Sequence, residues 1–242
     1  MRKVSMNPLP MHIGVIPDGN RRWARKVGVS IEEAYRIGSD KVEEFLEWAL
    51  DFGIKIVTIY VLSTENFIGR SRHELELLYR LLREKLIKVR MDERIHRNRV
   101  RVRVIGRVWL LPEEVRREIE ITEAATSEYS NHYLNLAVVY GGRQEIVDAV
   151  RRLITDVNSG RLGVSDINED TLLRYLYLGD EPYPEPDLII RTGGEYRLSN
   201  FLLYESAYSE IYVLNKYWPE ITKEDLRQAL DEYARRERRF GR

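Results

Sequence analysis

The sequence predicts an α/β fold: a largely parallel central sheet flanked by helices, in one domain. Three observations point there. Short β-branched runs alternate along the chain with stretches of helical apolar periodicity. The 242 residues suit one undivided α/β domain with a sizeable core. The sequence has no internal repeat and no low-complexity segment that would argue for a solenoid or a linker.

The strands are read in order at 13–17, 54–62, 100–105, 134–139 and 188–190, each short and rich in Val, Ile and Leu. Between the first two, Val42, Phe45, Leu46, Ala49 and Leu50 recur at helical spacing, and Phe52-Gly53 supplies a stop, giving one β-α-β unit. Further helices are expected over 73–97, 112–128, 142–157, 168–178 and 222–238. In the first of these, Leu75, Leu77, Leu78, Leu81, Leu82, Leu86 and Val89 spread over about half the helix circumference at roughly 100° per residue. From periodicity alone this stripe favours a helix buried on two sides over one wall of an apolar groove. The proline-rich segment 180–187 reads as an ordered loop feeding the last strand.

Composition narrows the function classes. Thirty-nine Lys and Arg balance 39 Asp and Glu, so no net field draws the chain to nucleic acid or a membrane, and any anion binding must be local. There is no cysteine, which excludes disulfides, thiolate metal sites and a cysteine nucleophile, and fits a cytoplasmic location. The first ten residues lack a signal-peptide core and are expected to be flexible, and no run approaches the roughly 18 apolar residues of a membrane span. Walker, Gly-x-Gly-x-x-Gly, His-Glu-x-x-His and Asp-Asp-x-x-Asp patterns are missing. His12, His73, His96 and His132 lack ligand spacing, which favours surface or satisfied core roles.

Four clusters remain as candidate chemistry. Asp18, Gly19, Asn20, Arg21, Arg22 and Trp23 follow the first strand. A helix opening there would aim unpaired amides at an anion, and a carboxylate beside it suits a diphosphate carried by a divalent cation; an ordinary tight turn with a solvated arginine pair is the alternative. Ser63, Thr64, Glu65, Asn66 and Phe67 follow the second strand; by themselves they favour a helix cap or turn, and their place at a strand end raises the reading as part of the same crevice. Arg191, Gly193, Gly194, Arg197, Leu198 and Ser199 follow the last strand, where two arginines around a Gly-Gly turn match phosphate oxygens; a salt-bridged structural loop is the alternative. The basic segment 235–242 reads by itself as a solvated tail.

Taken together, the stretches 12–23, 63–67, 140–143, 187–202 and 239–241 resemble, in order and spacing, the undecaprenyl diphosphate synthase family of cis-prenyltransferases. The resemblance runs from His12 to Gly241. It implies a transferase that condenses isopentenyl diphosphate with an allylic diphosphate, farnesyl or geranylgeranyl diphosphate, in Z geometry, giving a polyprenyl diphosphate for lipid-carrier synthesis. It implies that Asp18 positions Mg²⁺ and helps the allylic diphosphate leave, with Gly19, Asn20, Arg21 and Arg22 as its cradle and Trp23 beside it. Arg191, Arg197, Leu198 and Ser199 are implied for isopentenyl diphosphate, and Glu210 as a second carboxylate at Mg²⁺. Ser63 and Asn66 would stand between the substrates, Asn66 as proton acceptor, with Thr64, Glu65, Phe67 and Arg70 among the binding residues. Arg239 and Gly241 match a segment that reaches a partner subunit's site, implying a homodimer.

The reaction itself fits these residue types: leaving-group charge must be held by metal, arginines and dipoles, and a reactive cation must be kept dry. With the family fold in view, the leucine stripe becomes a tunnel wall, and the bulk of Val61 and Leu62 a candidate influence on product length. Three departures stand out. Ile31 and Tyr35 occupy positions where many relatives carry a diphosphate-holding arginine and histidine, and one extra residue precedes Arg70. A noncatalytic partner subunit is disfavoured by the retained Asp18, Asn66, Arg191 and Arg197. A nucleic-acid binder using Arg97, Arg99, Arg101 and Arg103 is disfavoured by zero net charge.

Overall fold

The computed structural model describes residues 9–236, so most of the expected flexible segment 1–10, together with Arg239 and Gly241, lies outside the described residues. Six strands form one sheet: β1 (His12–Ile16), β2 (Ile56–Ser63), β3 (Val100–Ile105), β4 (His132–Tyr140), β5 (Leu188–Arg191) and β6 (Glu210–Val213). Their order is β3-β4-β2-β1-β5-β6 and every neighbouring pair is parallel. The chain places β2, β3 and β4 on one side of β1 and β5 and β6 on the other. Loops leaving the C-terminal ends of β1 and its neighbours therefore part around a crevice, the usual ligand position in an open α/β sheet.

The helices are α1 (Asn20–Val27), α2 (Ile31–Asp51), α3 (Thr64–Gly69), α4 (Arg72–Met91), α5 (Glu93–Arg97), α6 (Glu113–Thr126), α7 (Gly142–Asn158), α8 (Glu169–Tyr175) and α9 (Lys223–Arg235). One face of the sheet packs Ile59, Val102, Leu134 and Ile190 against Phe45, Leu86, Ile119 and Leu230 of α2, α4, α6 and α9. The other face packs Tyr60, Ile105, Ala137 and Ile189 against Phe201, Leu202 and Leu178. β1 is buried along its whole length, as expected of a central parallel strand that reads as a continuous apolar run.

Several boundaries differ from the sequence expectation for local reasons. The helix expected over 73–97 is two: Asp92 turns extended (φ −79°, ψ 115°) and its carboxylate caps the Arg94 amide, ending α4 and starting α5. The strand at 54–62 starts two residues late, because Ile54 and Lys55 still turn out of α2. The helix at 168–178 stops at Tyr175, where Leu176 becomes extended. The sequence pattern predicts no strand at β6. It is a four-residue edge strand without a buried run, so it carries no periodic signal, and only its pairing with β5 makes it a strand.

Candidate active site

The site begins at the end of β1. Gly19 has φ 109°, and a Cβ there would lie 2.5 Å from the Tyr217 ring, so the turn into α1 needs glycine. No side chain caps α1, which leaves its first amides directed out of the turn. Asp18 projects from this turn. Its Oδ2 accepts from Arg191 Nη2 at 2.8 Å and its Oδ1 lies 3.2 Å from Arg22 Nη2, while its backbone carbonyl accepts from Thr192 and Trp218. The ends of β1 and β5 thus meet through a carboxylate held by two arginines.

Arg191 is buried, and its Nη1 donates to Ser199 Oγ at 2.8 Å and to the Arg197 carbonyl. Its Nε is buried without a hydrogen-bond partner among the described residues, an unmet donor of the kind an incoming anion satisfies. Gly193 (φ 86°) passes 2.5 Å, measured from a Cβ built on it, from Arg22 Nη2. The Gly-Gly turn is therefore where the backbone draws close to the arginine cluster. Arg22 also bonds Glu195 at 3.1 Å.

The loop carrying Ser199 is anchored through Asn200, a residue with no predicted role. Ser199 and Asn200 both have positive φ (51° and 66°). Asn200 accepts from the amides of Gly142 and Arg143, at its carbonyl (2.7 Å) and Oδ1 (2.9 Å), and donates to Glu65 (2.8 Å) and Gln144 (3.2 Å). The stretch 140–143 thus seats that loop; a Cβ on Gly141 would lie 2.6 Å from the Asn200 amide. Tyr60 donates to the Tyr140 carbonyl at 3.2 Å and to that of Ser199 at 3.3 Å, and burial raises its pKa, so the phenol stays a donor. Burial would raise the Glu65 carboxyl, but bonds from its own amide, Asn200, Ser63 and Thr64 outweigh that and hold it below the usual range. Asn200 belongs to the stretch 187–202, but its spacing gives it no mark, because its role needs loops from three strand ends.

Ser63 caps α3, accepting from the Asn66 amide at 3.0 Å, so it is a helix cap and a crevice residue at once. One cavity of about 870 Å³ is lined by Asp18, Gly19, Asn20, Arg21, Arg22, Ser63, Glu65, Asn66, Arg70, Arg191 and Ser199 at its polar end. Behind them come Val42 and Leu46 from α2, Leu78, Leu81, Leu82, Leu86 and Val89 from α4, and Ile59, Val61, Leu134 and Leu136 from the sheet. The leucine stripe is therefore split: five of its residues line the channel, whereas Leu77 is buried with Tyr35 and Leu75 packs on the core. Val61 lines the channel and Leu62 turns into the core.

Other predicted residues stand outside this cavity. Trp23 and Phe67 are half-buried, Thr64 is buried, and Ile31 is exposed at the start of α2. Arg197 pairs with Glu195 and, with Leu198, lines a separate groove beside β6 and Arg236. Glu210 pairs with Arg236 at 2.7 Å. In the sheet register Glu210 lies level with Leu188 and Ile13, so the end of β1 is three residues, roughly 10 Å, further along and two strands away. Within one chain, then, Glu210 and Asp18 lie at different ends of the sheet. Among the described residues no three His, Asp or Glu side chains form a group that could by itself hold a metal ion. Of the histidines, His12 is fully buried between the Tyr183 carbonyl and Thr58, and desolvation lowers its pKa to about 4; His96 and His132 also bond backbone carbonyls.

The chain is similar to known proteins along nearly its whole length. The model of the putative undecaprenyl diphosphate synthase family matches residues 16–241. The chain belongs to the undecaprenyl diphosphate synthase family. It is 53% identical over 240 residues to a tritrans,polycis-undecaprenyl-diphosphate synthase (geranylgeranyl-diphosphate specific) of Methanopyrus kandleri, covering 99% of this chain and 88% of that one. A Thermoplasma volcanium protein of the same description is 49% identical over all of this chain and 93% of its own length. Among solved structures, lavandulyl diphosphate synthase from Lavandula x intermedia, in complex with dimethylallyl diphosphate, superposes with a TM-score of 0.92 at 35% identity, covering 97% of this chain and 99% of that one. A probable undecaprenyl diphosphate synthase from Campylobacter jejuni gives 0.78 at 32% identity, covering 98% and 100%. As a member of this family the chain is a cis-prenyltransferase, an enzyme of prenyl chain elongation.

Proposed function

We propose that this enzyme adds isopentenyl diphosphate to geranylgeranyl diphosphate, or to the shorter farnesyl primer, in repeated Z condensations. The observation that carries the reading is the meeting of Asp18 with Arg191 and Arg22 at the polar end of a cavity whose remainder is apolar. Diphosphates are held at that end and hydrocarbon grows into the channel. The specificity stated for the Methanopyrus kandleri and Thermoplasma volcanium relatives favours the geranylgeranyl primer.

In each cycle the bond between the allylic carbon and the diphosphate oxygen breaks, and the electron pair leaves with the oxygen. The amides opening α1, with Arg21 and Arg22, stabilise that charge where it develops. The terminal alkene carbon of isopentenyl diphosphate bonds to the allylic carbon, and a proton leaves the methylene next to its diphosphate-bearing carbon. Arg191 and Ser199 hold that second diphosphate. Asn66 lines the cavity as the expected proton acceptor; a carboxamide is a feeble base, so the proton passes on to a diphosphate oxygen. The leucine wall excludes water that would capture the cation.

Asp18 fits Mg²⁺ in its donor chemistry: one partly exposed carboxylate at the diphosphate end, with phosphate oxygens and water to complete the coordination this ion prefers. Bound there, Mg²⁺ would neutralise the departing diphosphate. The implied homodimer would bring the 235–242 segment, and the groove of Arg197 and Leu198, to a partner subunit. No helix among the described residues is long and apolar enough to cross a membrane; a cytoplasmic site of action is part of the proposal.

The test is incubation of purified protein with Mg²⁺, geranylgeranyl or farnesyl diphosphate and labelled isopentenyl diphosphate, followed by separation of products by chain length. Labelled polyprenyl diphosphates with Z double bonds are expected. No incorporation by a folded protein overturns the reading.

A further inference from the structure

At the polar end of the cavity, Arg21 belongs to a cluster with Tyr35, Arg70 and Glu74. Arg70 Nη1 donates to the Tyr35 hydroxyl at 2.6 Å, and the guanidinium lies 5.1 Å over the centre of the Tyr35 ring. The same hydroxyl donates to Glu74 Oε1 at 3.4 Å, and that oxygen is 3.9 Å from Arg21 Nε. Tyr35, Arg70 and Arg21 all line the cavity that holds Asp18. Tyr35 is only 7% exposed, with its ring packed against Leu77 and Leu81, so the hydroxyl is fixed in place. Burial raises its pKa and keeps it protonated, able to accept from Arg70 while donating to Glu74.

Two features say the cluster awaits an anion. Arg70 Nε is buried with no hydrogen-bond partner among the described residues, a costly state for a guanidinium N–H. Of the two arginines only Arg21 pairs with a carboxylate, Glu74, while Arg70 bonds the neutral Tyr35 hydroxyl, which leaves the group with a surplus positive charge. A third feature says which anion: Leu81 both packs on Tyr35 and lines the channel. A headgroup held here feeds its hydrocarbon straight onto the channel wall, which suits the long allylic substrate rather than the five-carbon one.

We propose that Tyr35 is a positioning residue that sets Arg70 against the allylic diphosphate, and that Glu74 holds Arg21 until that diphosphate displaces it. The inference rests on the reading of this site as a prenyl diphosphate cavity. Tyr35 acts through Arg70: the ring stacks the guanidinium and the hydroxyl fixes one of its nitrogens, so the free Nε edge is presented to the ligand.

The experiment is calorimetric binding of farnesyl diphosphate with Mg²⁺ and no isopentenyl diphosphate, so that no turnover is needed. Tyr35→Phe keeps the ring and removes the oxygen; we expect affinity to fall about tenfold, and Arg70→Ala to cost about a hundredfold. The double variant should bind no more weakly than Arg70→Ala alone, because the hydroxyl has nothing left to position. Glu74→Gln, which still accepts from the phenol but frees Arg21, should bind about threefold more tightly. Undiminished binding by Tyr35→Phe, an equal loss on adding it to Arg70→Ala, or weaker binding by Glu74→Gln overturns the proposal. The KM for isopentenyl diphosphate should stay within about twofold in Tyr35→Phe, where a merely structural defect moves both substrates. Tight primer binding by a protein that never elongates it would sink the condensation reading and leave this inference standing.

Discussion

Asp18 carries the largest share of the chemistry assigned to any single side chain. It faces Arg191 and Arg22 at the polar end of the cavity, and under the proposed function it would hold the cation that accompanies diphosphate. Asp18→Asn keeps the shape and removes the charge, so kcat should fall about a thousandfold, as when a group acting mainly on the transition state is removed. Steady-state rates on purified, folded variant check this, and retention of more than a tenth of the activity would refute the assignment. Arg191→Lys retains charge but loses the fork that engages Asp18, Ser199 and the Arg197 carbonyl together. The expected outcome is a KM for isopentenyl diphosphate raised at least tenfold, with the primer KM little changed. At this scale the sequence was informative, since Asp18, Arg22, Ser63, Asn66, Arg191 and Ser199 all reach one cavity. Arg197 and Glu210 matched motifs equally well and point elsewhere in the chain, because motif spacing does not encode which way a loop turns.

Among the elements, α2 and α4 explain how a tunnel stays open. Much of the apolar side of α4 faces the channel instead of α2, so ionic bridges do much of the joining: Lys85 to Asp40 and Glu43, Lys88 to Glu43, and Arg80 to Glu32. An unfilled channel between helices otherwise invites collapse, because apolar walls gain by closing on each other. A bulky replacement on that wall should act as a stopper. Leu78→Trp is expected to shift the product distribution to shorter chains without loss of the first condensation, read by chromatography of labelled products; unchanged lengths would remove Leu78 from the channel's working wall. The sequence legibly marked α4 as doubly apolar, but periodicity cannot distinguish a wall against protein from a wall against ligand. β6 was illegible for a related reason: an edge strand of Glu-Ile-Tyr-Val has no periodic burial to report.

For the molecule as a whole, two buried titratable sites oppose each other in pH. His12 in β1 is fully buried and neutral, its pKa lowered to about 4 by desolvation. Below about pH 6.5 the unfolded chain binds a proton that the fold refuses, so stability falls as pH drops from there toward 4, by up to about 3 kcal/mol. Glu205 and Glu145 behave in the opposite sense. Both are buried, desolvation raises both carboxyls, Glu205 the further, and Glu145 takes its bonds from Tyr140 and the Tyr177 amide. The folded state therefore holds a proton that the unfolded chain releases above its ordinary carboxyl pKa, and stability declines as pH rises from there toward the folded value. Glu205→Gln, which cannot ionise, should raise the denaturation midpoint at pH 8 and change it little at pH 4.5. Urea titrations at the two pH values decide it, and an equal change at both would show that the effect is packing and not ionisation.

The sequence by itself determined the layer architecture and the family. Strand and helix periods are local properties of the chain, and five motifs in fixed order are hard to assemble by chance. Only the tertiary structure decided which motif residues share a cavity, that Asn200 seats the Ser199 loop, and that Tyr35 stands with Arg70. Those facts depend on where strands far apart in sequence end side by side. Pairing across a parallel sheet is set by the burial of many residues together, and no single segment records it.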